Sequence, residues 1–114
     1  MLLIIVFVQR NEDTAAGTVI EALGDPVRRQ VVTLLSRGPR RAGELAAEIG
    51  MSAPAMSRHL RVLLAALVIE DERLEQDARA RVFRLRPAAI EAVQSWLDQI
   101  KAAMDGLGEA TVRS

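Results

Sequence analysis

Ser57, Arg58 and Arg61 are spaced for one kind of chemistry, which is reading the edges of base pairs. They fall within residues 52–67, SAPAMSRHLRVLLAAL. If that stretch is a helix, Met56, Leu60, Leu63 and Leu67 form one apolar stripe, and Ala53, Pro54, Ser57, Arg58 and Arg61 lie off it. An arginine can donate two parallel hydrogen bonds to O6 and N7 of guanine, and Arg58 is the candidate for that contact. Ser57 can donate to or accept from a base or a phosphate, and Arg61 suits phosphate. The small residues at the N-terminal end let a helix sit deep in a major groove. The free N–H groups and positive dipole end there also favour phosphate. Ser52 reads as the N-cap, and Pro54 falls in the first turn, where a missing N–H costs nothing. His59 has two readings, a phosphate donor or a plain helix-surface residue. A single His in a chain without Cys makes no transition-metal site.

An ordinary amphipathic helix with a solvated charged face would carry the same stripe, so the surrounding elements decide. A short helix over 41–49, with Ala42, Leu45, Ala46 and Ile49 on its apolar face, ends at Gly50. Helix, Gly turn and capped basic helix together read as a helix-turn-helix. Between residues 37 and 61, Arg37, Arg40, Arg41, Arg58 and Arg61 stand against Glu44 and Glu48, a local excess of three positive charges. Upstream, Ala16, Val19, Ile20 and Leu23 follow helical spacing as far as Gly24. Asp25 caps a second helix with Pro26 at its first position and Val27, Val31, Leu34 and Leu35 inward; Gly38-Pro39 stops it. Downstream, residues 68–75 and 81–85 read as two strands joined by a turn at 76–79.

That hairpin has two readings. Arg79 and Arg81, on the turn and second strand, can meet phosphate as a wing. Alternatively, the acids of the first strand (Glu70, Asp71, Glu72, Glu75 and Asp77) pair across the hairpin with Arg79, Arg81, Arg84 and Arg86. Pro87 opens a final helix in which Ile90, Val93, Leu97, Ile100, Met104 and Leu107 step by 3 and 4, a heptad seam. Residues 108–114 read as a frayed tail. The seam is longer than one small domain covers, so it predicts a two-fold pairing of copies, with packing on the first helix of the same subunit as the alternative.

Composition sets the bounds. The chain has 114 residues, enough for one domain, and 15 basic and 15 acidic residues leave no net charge. Overall charge therefore does not announce a nucleic-acid binder, and the local patch must carry that reading. There is no Cys and no Tyr, which removes disulfides, thiolate sites and cysteine nucleophiles and is compatible with a reducing cytoplasm. No phosphate-binding Gly loop, catalytic triad or metal constellation is present, so an enzyme is not expected, no cofactor is implied and no metal site is expected. The apolar run at 2–8, LLIIVFV, is too short to span a bilayer and lacks a signal-peptide pattern. It reads as a start assigned too far upstream or as an extension buried in a dimer, with membrane or export targeting a third reading. The resulting organisation is an N-terminal extension over 1–13, a domain over 14–107 and a tail over 108–114.

Several motifs together resemble the ArsR/SmtB family of bacterial winged-helix repressors, over about residues 15–104. They are Asp25-Pro26 with Arg28-Arg29; Glu44-Leu45-Ala46; Ser52-x-Pro54-Ala55-x-Ser57-Arg58-His59-Leu60; and Phe83-Arg84-Leu85. The resemblance implies a mainly α fold with a small β-hairpin, a winged helix-turn-helix in the order α-α-α-α-β-β-α. It also implies a homodimer joined by its first and last helices, and release from an operator on a signal. Family reading positions map onto Ala53, Pro54, Ser57, Arg58 and His59. The expected DNA contacts are then Arg41, Ser52, Ala53, Pro54, Ser57, Arg58, His59, Arg61, Arg79 and Arg81. The expected dimer contacts are Val19, Leu23, Ile90, Val93, Leu97, Ile100 and Met104. Three departures stand out. The last helix has Glu91 and Asp98 but no His, as in members without an evident metal site; Ala66 replaces a common glycine; and the wing is acidic on one strand, with no Gly at its tip. The expected function is sequence-specific transcriptional repression by a cytoplasmic homodimer on a palindromic double-stranded operator. The alternative is a winged-helix dimerisation or protein-interaction module with weak or no DNA binding. The inducing signal is not specified by any residue pattern.

Overall fold

The computed structural model describes residues 15–74 and 77–113. The apolar run at 2–8 and the tip residue Gln76 lie outside the described residues. Helix α1 (15–22) buries Ala16, Val19 and Ala22. Ile20, expected on that face, is instead 40% exposed: the inward stripe runs through 16, 19 and 22, so position 20 turns outward. α2 (Pro26–Leu35) begins as its sequence requires, with Asp25 Oδ1 accepting the Val27 and Arg28 N–H groups at 2.7 and 3.2 Å. It buries Val31 and Leu35.

After α2 the chain forms a two-residue strand, β1 (Arg40–Arg41), before α3 (Ala42–Ile49). α3 ends at Gly50, whose φ of 81° is left-handed, and α4 (Ala53–Ala65) follows. The helix-turn-helix is therefore closed by Gly50, Met51 and Ser52. α4 buries Met56, Leu60 and Leu63.

Leu67, expected as the fourth member of that stripe, is not in the helix. It has φ 58° and is 62% exposed. Val68 N–H bonds Leu63 O at 3.0 Å, and Leu67 N–H bonds Leu64 O at 3.1 Å. This is a Schellman closure with leucine at the left-handed position that glycine usually takes. Buried Val68 and Leu63 supply its apolar contact. Ala66 has φ −83°, so a Cβ is unstrained there.

β2 (Ile69–Leu74) and β3 (Asp77–Leu85) form the hairpin, and β1 pairs with the other edge of β3 to give the antiparallel order β1-β3-β2. The third strand was not expected, since two residues are too few to show alternation. The second strand starts four residues earlier than the sequence pattern indicated, taking up residues assigned to the turn, Arg79 among them. A register shift between Arg73 and Leu74 absorbs the mismatch at the hairpin's end. Finally, α5 (Pro87–Arg113) continues through the residues expected as a tail. Gly106 and Gly108 each cost a helix only about 1 kcal/mol, which does not force an end.

One core unites these elements. Val31, Leu45, Met56, Leu63, Val68 and Ile69 are its largest fully buried side chains, each contributing about 1.5–3 kcal/mol by burial. α5 joins that core only near its start, through buried Ala89 and half-buried Val93. The core thus fixes α4 by its inner stripe and leaves its outer face free.

Candidate nucleic-acid interface

Positioning of α4 starts at its N-terminus. Ser52, in extended backbone, accepts the Ala55 N–H on Oγ at 3.3 Å. Pro54 occupies the first turn. Ser52, Ala53, Pro54, Ser57, Arg58 and Arg61 are all exposed. Among the described residues, neither Arg58 nor Arg61 has a hydrogen-bond or ion-pair partner. Two unpaired guanidiniums, one hydroxyl and a small-residue tip are thus presented on one surface. Arg41, also exposed, precedes α3, and its N–H donates to Glu44 Oε1 at 3.0 Å.

His59 turns the other way. It is half-buried, with Nδ1 3.4 Å from Arg28 Nη1. Arg28 Nε also donates to Ala22 O at 2.5 Å, so this one side chain ties the end of α1 and the start of α2 to α4. Arg28 was not among the expected site residues, although its place just after Asp25-Pro26 in the shared motif was a signal. Loss of solvation raises the Asp25 pKa, but the Arg28 and Val27 amides and the charges of His59 and Arg28 outweigh it, and its carboxyl is held below the ordinary value.

The wing differs. Arg81 binds Asp71 through Nε and Nη2 at 2.9 and 2.6 Å, and its guanidinium lies 5.1 Å from the centre of the Phe83 ring. Arg84 pairs with Glu72 at 3.1 Å, and Arg86 sits 3.9 Å from Glu70. In the strand register, Asp71 faces Phe83, Glu72 faces Val82 and Glu70 faces Arg84, so all three pairs are diagonal. The cross-strand reading of the hairpin is therefore realised in these three arginines. The side chain of Arg79 lies outside the described residues.

The expected dimer contacts fall into two groups. Val19 is buried in its own subunit's core, and Leu23 and Val93 pack against that core, so intrasubunit packing already uses them. Ile90, Leu97, Ile100 and Met104 remain 39%, 50%, 39% and 65% exposed, joined by Trp96 and Leu107. Among the described residues no three His, Asp or Glu side chains gather as a metal site needs, and no helix is long and apolar enough to cross a membrane.

Comparison with known proteins agrees with this geometry. Residues 25–70 match the family model described as bacterial regulatory protein, arsR family. The chain is 38% identical over 79 residues to the HTH-type transcriptional regulator Rv2034 of Mycobacterium tuberculosis, covering 69% of this chain and 71% of that one. It is 41% identical over 60 residues to the transcriptional repressor SdpR of Bacillus subtilis, covering 53% and 67%. Among solved structures, an ArsR-like transcriptional regulator from Rhodococcus sp. RHA1 superposes with a TM-score of 0.74 at 26% identity, covering 86% of this chain and 90% of that one.

Proposed function

The chain belongs to the arsR family of bacterial regulatory proteins, DNA-binding transcriptional regulators rather than enzymes, and from that premise we propose that it is a homodimeric repressor acting on a roughly palindromic operator. The observation that carries the reading is the pair of exposed, unpartnered guanidiniums on α4, Arg58 and Arg61, above a capped small-residue tip. Arg58 reads guanine, Arg61 and Arg41 meet phosphate, and Ser52, Ala53, Pro54 and Ser57 let the helix approach. His59, held toward Arg28, orients α4 rather than reading a base.

The regulator unit, expected over residues 14–107, extends further to Arg113, where α5 ends. The exposed stripe of α5 supports the dimer, because Leu97, Ile100 and Met104 would be covered by a second copy across a two-fold axis. Two reading helices then span half-sites about one helical turn apart, roughly 34–36 Å. Repression as the outcome draws on a relative named as a repressor, SdpR.

The test is a fluorescence titration of a labelled duplex from the gene's own upstream region over a range of salt. Saturable binding that weakens steeply with salt is expected, because phosphate contacts release counterions. No binding at low salt overturns the proposal and favours the second reading, an interaction module, which draws its support from the wing's self-paired arginines.

A further inference from the structure

We propose that the cleft between α3, α4 and the wing binds an organic anion with an apolar body, and that this ligand competes with DNA. The cleft has a volume of about 690 Å³. That lies within the range of small-molecule sites, about 300–1,000 Å³, and is far larger than a phosphate group needs. Its walls carry three guanidiniums, Arg41, Arg61 and Arg81, and the Ser57 hydroxyl. Against them stands one carboxylate, Glu44, one oxygen of which already accepts the Arg41 N–H. Asp71 already neutralises Arg81, so Arg41 and Arg61 against Glu44 leave one net positive charge, which repels a metal ion and favours an anion.

The floor specifies the rest of the ligand. Half-buried Ala42 and Leu64, backed by buried Leu60, Ala80 and Phe83, give the cleft its apolar lining. A phosphate passing along the rim leaves that apolar floor unused, whereas a carboxylate on a flat apolar body can satisfy floor and walls together. Arg81 keeps a donor for it: Asp71 takes Nε and Nη2, and Nη1 has no acceptor among the described residues. Ser57 and Arg61 serve both the cleft and the DNA-facing surface, so an occupant that engages them removes them from phosphate. The competition rests on the proposed DNA-binding function; the cleft as a ligand site does not.

The probe is 1-naphthoate, with uncharged 1-naphthalenemethanol as its control, titrated into the full chain without DNA and followed in ¹H–¹⁵N spectra. Saturable shifts at amides 41–44, 57–64 and 80–83 are expected, with the alcohol at least fivefold weaker. Gly43 lines the same cleft, and a Cβ added there meets nothing within 4 Å, so Gly43→Leu adds apolar bulk at the cleft wall without a clash. That variant should weaken 1-naphthoate at least tenfold while keeping a folded spectrum. Shifts confined to α5, or equal binding of anion and alcohol by the native chain, overturn the site whether or not the variant folds. In a second arm, 1-naphthoate should raise the apparent Kd for the duplex in step with its occupancy of the cleft. Cleft binding with unchanged DNA affinity overturns the competition. Absence of DNA binding at low salt overturns the DNA-binding function and the competition with it, and the spectra then decide the site alone.

Discussion

The reading helix and the wing are both rich in arginine, yet α4 leaves both of its arginines unpartnered, while three of the wing's are paired and, among the described side chains, Arg73 alone is not. On α4, Arg58 and Arg61 stand exposed without partners. On the hairpin, Arg81, Arg84 and Arg86 are each matched with an acid of β2. The cause is geometric. Along one helix, α4 has no acid three or four residues from either arginine, whereas an antiparallel register lays the acidic strand beside the basic one. Exposed pairs of this kind add only about 0–1 kcal/mol to stability. Their larger effect is to cancel attraction for phosphate. Among the described residues, α4 therefore keeps two guanidiniums available to DNA in a chain with no net charge.

The contrast breaks most directly by substitution at Arg58. Arg58→Ala should weaken DNA binding by about 1–3 kcal/mol and relax sequence preference at one base pair, whereas Arg81→Ala should change affinity by less than about threefold. Equal losses, read in parallel titrations, would erase the distinction. Next in size is the turn that aims α4. Gly50 has φ 81°, and nothing lies within 4 Å of an added Cβ, so Gly50→Ala tests backbone strain alone. A loss of about 1 kcal/mol in urea unfolding is expected.

Releasing the wing's arginines tests the other half. Asp71→Asn with Glu72→Gln frees Arg81 and Arg84 and should tighten DNA binding about two- to fivefold at low salt, with a steeper dependence on salt. An unchanged slope would mean that the wing stays clear of DNA even when charged. A smaller effect comes from the far end of α4, where Leu67→Gly relieves the left-handed strain and should raise stability by about 0.5 kcal/mol after the entropy cost of glycine.

Last is the support beneath α4. Asp25 has a native pKa below its unfolded value, so its contribution to stability is complete above the ordinary carboxylate range. That contribution is lost as pH falls through the lowered native value. Thermal midpoints between pH 7 and pH 3 should drop less for Asp25→Asn than for the native chain.

Much of this was legible in the sequence where one residue type enforces one local conformation. Gly50 ends α3, Ser52 caps α4, Pro54 tolerates only the first turn, and the 56-60-63 stripe is buried as its spacing requires. What stayed hidden depends on partners far along the chain or on residues that contradict their own preference. β1 exists because β3 offers an edge, not because Arg40-Arg41 has a strand pattern. Leu67 continues the helical spacing and yet takes the left-handed position that closes the helix. The fate of Arg81 depends on register, which places Asp71 two residues from direct opposition. The role of His59 depends on Arg28, thirty-one positions away.

Methylation interference at guanine N7, comparing the native chain with Arg58→Ala on the same upstream duplex, tests the division of labour most directly. The expected result is one guanine per half-site whose methylation blocks the native protein and no longer affects the variant. The same interference pattern for both proteins would contradict a base-reading role for Arg58.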